Sequence, residues 1–99
     1  MTKAQLKEQL SVSREMAEEY SAAADRLRSH AMKLLNWPDH PVKIVLPSGR
    51  TVPFAAAPPN AKTEALSILE QAEGYREDAK WWSETGAQLA KLAAGRGLS

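Results

Sequence analysis

Cysteine is absent from the 99 residues, which excludes a disulfide framework, a thiolate metal site and a cysteine nucleophile. Charge of one sign is lacking too. Thirteen Lys and Arg are interspersed with 12 Asp and Glu for a net charge of +1, whereas a surface for nucleic acid or anionic membrane needs clustered cations. Neither is an expected partner. No apolar run approaches the roughly 20 residues that span a bilayer, and the stretch from Met1 to Glu8 lacks the apolar core of a signal peptide. The chain is therefore expected to act where it is made. With 43% hydrophobic and only 6% aromatic residues, it reads as one small domain, 1–99, close to the stability margin.

Proline and glycine divide the sequence into three zones. Residues 2 to 36 contain neither, residues 37 to 60 hold all six prolines, and residues 61 to 94 contain no proline. This pattern predicts two helices, 2–36 and 61–94, flanking a Pro-rich middle and followed by a tail over 95–99. Thr2-Lys3-Ala4-Gln5 has the form of a capping box, and Asn36-Trp37-Pro38 forms a stop. Asn60 stands as N-cap of the second helix, with Gly95 placed to close it in a left-handed conformation.

A β-hairpin is predicted over 42–54. Val42, Ile44 and Leu46 alternate with Lys43 and Val45, the turn is Pro47-Ser48-Gly49-Arg50, and Thr51 to Phe54 return. Pro53 has no N–H to donate, so the returning strand should be an edge. Two strands alone are marginal in water, and the ribbon is expected either to pack on a helix end or to be completed by another chain.

The second helix carries the strongest pattern. Ala65, Ile68, Ala72, Tyr75, Ala79, Trp82, Gly86, Leu89 and Ala93 follow an unbroken 3-4 spacing in which small and large residues alternate. That is the seam of a coiled coil, sustained for more than four heptads. The first helix repeats it with Leu6, Leu10, Ser13, Ala17, Tyr20, Ala24, Leu27, Ala31 and Leu34. At 1.5 Å per residue each helix is roughly 50 Å long, so the two match as an antiparallel hairpin with the ribbon at its turn. The fold class is mainly α, an Ala-rich coiled-coil hairpin with a short β-hairpin between its helices. Val12, Met16, Leu35, Leu66, Leu69 and Trp81 fall off the seam and predict a second apolar stripe. An Ala-rich seam buries little apolar area, so oligomerisation or docking would cover that stripe. Trp81, turned about 100° from Trp82, is a candidate partner contact.

Reactive groupings are sparse. His30, Asp39 and His40 are the available metal ligands, but their spacing matches no metal motif. Ser48 sits in a turn without the strand-to-helix elbow of a nucleophile. Glu15, Glu18 and Glu19 lie on one solvated helical turn, with nothing apolar to raise a carboxyl pKa. Gly95-Arg96-Gly97 has neither the strand nor the helix of a phosphate loop. Arg26, Arg28 and Lys33, with His30, Lys43 and Arg50, form the densest basic stretch, read as helix-end charge complementing the carboxyl-terminal dipole, with a weak contact to DNA or an acidic protein surface as the alternative. No catalytic residue, cofactor or metal is expected.

The segment Val42-x-x-Val45-x-x-x-Gly49-Arg50-x-Val52-x-Phe54, set between two helices, resembles the head-completion protein W family of long-tailed phages. The resemblance covers residues 42 to 54. It implies a non-enzymatic virion protein, made in the host cytoplasm and docked in many copies where head meets tail. Outside the hairpin the helices are longer than in that family. Long Ala-rich helices also look like the attachment segments of phage fibres. The implied partners are other virion proteins, namely portal, connector, tail or fibre, and further copies of the chain in a homo-oligomer or ring. Val42, Ile44, Val45, Val52 and Phe54 would carry the ribbon contact, with Leu69 and Trp81 on the helix. The alternative is a small soluble adaptor or inhibitor of a single host protein.

Overall fold

The structure, a computed structural model, describes residues 2–97, so Leu98 and Ser99 of the expected tail lie outside the described residues. The order is α1 (Lys3–Leu35), β1 (Val42–Val45), β2 (Thr51–Phe54) and α2 (Ala61–Gly95). The two long helices pack on each other as an antiparallel hairpin, and the whole measures 65 × 32 × 14 Å.

Local signals account for most of the boundaries. The Thr2 hydroxyl accepts from the Gln5 N–H while the Gln5 side chain accepts from the Thr2 N–H, a complete capping box. Asn36 ends α1 as C-cap. Asn60 precedes α2 but makes no side-chain cap bond. The Ala61 N–H bonds the Pro58 carbonyl at 3.0 Å, and this turn holds Asn60 at φ −97°, ψ 8°, away from the extended conformation a capping side chain needs. At the other end Gly95 is still helical, and Gly97 takes the left-handed role at φ +70°. The backbone N–H of Arg96 reaches Leu92 and Ala93, and that of Gly97 reaches Ala94, so the last carbonyls are already satisfied beyond Gly95.

The interface is the predicted seam. Leu6, Ser13, Ala24 and Ala31 of α1 are buried, as are Ala61, Ala65, Ala72 and Ala93 of α2. The larger residues between them flank the contact, and Tyr20 and Tyr75 stack with ring centroids 5.7 Å apart. Small side chains let helices approach closely. A Cβ added to Gly86 would lie 3.4 Å from the Ser13 Cβ. The buried Ser13 hydroxyl donates to the Gln9 carbonyl at 2.8 Å, so closeness is gained without an unpaired polar atom. Charges stay outside, with Arg76 and Asp25 3.7 Å apart on an exposed flank.

The residues expected to form the second stripe are unequally covered. Met16, Leu35 and Leu69 are half-buried, while Val12, Leu66 and Trp81 are exposed. Leu66 and Trp81 are fifteen residues apart, roughly 22 Å along the axis. A coiled coil of unequal residues covers flanking positions as well as its seam, which accounts for the half-buried members of the set.

Candidate interaction surfaces

The ribbon stands clear of the helices, with neither strand lying against one. Of the two arrangements expected for the ribbon, packing on a helix end is not the one seen, which leaves completion by another chain. Its base is held instead by the two linkers, where the Trp37 Nε1–H donates to the Ala55 carbonyl at 2.9 Å and the Ala57 N–H to the Pro38 carbonyl at 2.8 Å. The Trp37 ring also meets the Phe54 ring with centroids 5.7 Å apart.

At the tip the Gly49 N–H bonds the Leu46 carbonyl and the Leu46 N–H bonds the Arg50 carbonyl, each at 2.8 Å. Gly49 has φ +86°, and no non-glycine residue has a positive φ among those described. This is a three-residue loop over 47–49, a type I turn closed by a glycine bulge. Pro47 supplies the φ of its first corner.

The register pairs Val42 with Phe54, Lys43 with Pro53, Ile44 with Val52 and Val45 with Thr51. Opposed residues of an antiparallel pair share a face. One face therefore gathers Val42, Ile44, Val52 and Phe54, extended by Leu46 toward the tip and Trp37 at the base. Ile44 and Phe54 remain 37% and 42% exposed. Val45 lies on the opposite face with Lys43, Thr51 and Pro53, and is 68% exposed. Of the five ribbon residues singled out by sequence, four converge and Val45 does not.

The two helical candidates are also apart. Leu69 is half-buried in a groove beside Arg28, Met32 and Arg76. Trp81 is 58% exposed and meets Trp82 edge-on with centroids 4.9 Å apart. Trp37 is the residue that sequence reasoning passed over as a surface element. Its signal was an aromatic just after a helix stop, with a second aromatic, Phe54, at the far end of the hairpin.

His40 Nδ1 lies 3.0 Å from Asp39 Oδ1 at the corner after α1. The imidazole of His40, by hydrogen bond and charge, holds the Asp39 carboxyl below its usual range. His30 is not gathered with them, and no three His, Cys, Asp or Glu side chains converge on a common point among the described residues. Glu15, Glu18 and Glu19 are exposed, and Ser48 lies in the ribbon turn. No helix among the described residues is long and apolar enough to cross a membrane.

Comparison with family models, with curated proteins and with solved structures finds no match to this chain.

Proposed function

We propose that the chain is a non-enzymatic structural protein of a phage virion, a multicopy component at the head-tail connection or at fibre attachment that acts through protein contacts. The observation that carries this reading is the apolar-faced ribbon standing free at one end of a helical rod. A two-stranded ribbon is marginal on its own in water, so a face left open in this way is suited to completion by a neighbour. Surface area points the same way. A compact monomer of 10.8 kDa exposes about 5,500 Å², whereas this chain exposes 7511 Å², about 2,000 Å² more.

The test is the mass of the purified protein by light scattering over a concentration series, with helicity followed alongside. A defined oligomer or ring that retains its helicity is the expected result. A folded monomer at every concentration, pulled down in equal amount with one host protein, would replace this reading with the adaptor.

A further inference from the structure

The free edge of β1 is a self-complementary docking surface, and we propose that it pairs with β1 of a second copy of this chain. This inference rests on the assembly reading above.

Hydrogen-bonding direction alternates along a strand. Leu46 bonds toward β2, so Ile44 and Val42 do as well, and the N–H and C=O groups of Lys43 and Val45 point outward. On the other strand Pro53 sits opposite Lys43, which places its ring nitrogen at the outer edge of β2. That edge has lost one of its two outward donors, the N–H of Thr51 being the other, and a proline there hinders strand addition. The ribbon thus has one open edge and one hindered edge.

Prolines also select the register. β1 is bracketed by Pro41 and Pro47, so Lys43 and Val45 are its outward donors. An antiparallel pairing centred on Ile44 sets Lys43 against Val45 of the other copy on both sides of a two-fold axis, and each of the two pairs exchanges both bonds. Centring on Lys43 would oppose two lysines and bring Val45 against Pro41. Centring on Val45 would bring Lys43 against Pro47. Only the Ile44-centred pairing uses every outward group and puts no like charges directly opposite.

The consequence is a four-stranded sheet, β2-β1 of one copy joined to β1-β2 of the other. The two-fold axis is normal to the sheet, so Val42, Ile44, Val52 and Phe54 of both copies lie on one continuous face. Pro53 at each outer edge hinders further addition, which closes the sheet at two copies while leaving the helices free for other contacts. The surplus of about 2,000 Å² on each chain is more than the roughly 600–1,000 Å² per partner that stable interfaces bury. The area supports a second copy in which the rods contribute beside the sheet.

A cysteine-free chain allows a direct test. Ile44→Cys, Lys43→Cys, Val45→Cys and Val52→Cys are prepared separately as full-length proteins and oxidised at equal concentration. Helicity and tryptophan fluorescence confirm the fold of each. In the proposed pairing two Ile44 positions face each other with Cα atoms about 4.5 Å apart, within disulfide reach. Two Val52 positions are three strand spacings apart, about 14 Å. The expected result is that Ile44→Cys forms a disulfide dimer at least tenfold faster than the other three, and that Ile44→Lys weakens self-association at least tenfold. Equal slow rates for all four, as an edge reserved for a foreign strand would give, overturn the proposal, as does a faster rate at any other position. If the unmodified protein is oligomeric while Ile44→Cys stays slow, edge pairing fails and the assembly reading stands. A monomeric protein with four slow variants overturns both.

Discussion

The indole N–H of Trp37 donates to the carbonyl of Ala55 across 18 residues of chain, at 2.9 Å. This bond, with the Trp37 ring against Phe54, aims the ribbon from the end of α1, since neither strand lies against a helix. Trp37→Phe keeps an aromatic ring but removes the donor. A hydrogen bond of this kind contributes about 1 kcal/mol. Amide exchange in residues 42 to 54 is expected to speed several-fold while exchange in the helix centres is unchanged. A uniform acceleration in both regions would show that Trp37 supports the whole fold.

Gly74 and Gly86 both lie inside α2 but in different surroundings. Nothing stands within 4 Å of a Cβ at Gly74, whereas one at Gly86 meets the Ser13 Cβ at 3.4 Å. Glycine in a helix interior costs about 0.5–1 kcal/mol relative to alanine. Gly74→Ala is expected to recover that amount, raising Tm by about 4–8 °C per kcal/mol for a domain of this size. Gly86→Ala is expected to gain less, because the methyl enters the helix contact at the near limit of ordinary packing. Thermal melts of the two variants decide it. Equal gains would mean that the helices at Ser13 and Gly86 are free to separate.

The helix pair was legible because its determinants are local and periodic. Ala65, Ala72 and Ala93 recur at coiled-coil spacing and are buried, and the Thr2–Gln5 capping box forms as its residue types require. What the sequence left hidden depends on competition between groups. Asn60 is a suitable cap, but the turn that starts at Pro58 fixes its backbone first. Gly95 is free to end α2, but the helix continues because Gly97 satisfies the final carbonyls equally well. The ribbon's strands and turn follow from alternation and from Pro47 and Gly49. Its freedom from the helices is a tertiary fact, decided by Trp37 holding the linkers, and periodicity does not encode it. The candidate residues were accordingly legible in content and only partly in geometry: Val45 lies on the ribbon face opposite Val42, Ile44, Val52 and Phe54.

Asp39 gives a pH-dependent prediction. His40 holds its carboxyl below the ordinary value of 3.8, so the charged form is favoured in the folded chain. A lowered folded pKa contributes stability above the unfolded value, and that contribution is lost as pH falls through the folded value. The window therefore lies below about pH 3.8. Both side chains are largely exposed, so little stability is at stake. His40→Ala is expected to return the Asp39 carboxyl to its ordinary range in an NMR titration, with helicity at neutral pH unchanged. No movement of the Asp39 midpoint would remove the imidazole as the cause.

Trp81 separates an interface role from a folding role. Its ring is 58% exposed and meets Trp82 edge-on, while Trp82 occupies the seam. An aromatic pair of this geometry contributes about 0.5–1.5 kcal/mol beyond burial, and a large exposed tryptophan is typical of contact centres between proteins. Trp81→Ala is expected to keep helical content within a few per cent and lower Tm modestly, while shifting the light-scattering mass toward monomer at micromolar concentration. Trp82→Ala, by opening the seam itself, is expected to cost roughly 3–5 kcal/mol or less, the upper end applying to full burial, and to reduce helicity. If Trp81→Ala loses helicity together with assembly, its ring belongs to the fold. If neither changes, the partner contact lies on the ribbon alone, and the helices serve only to carry it.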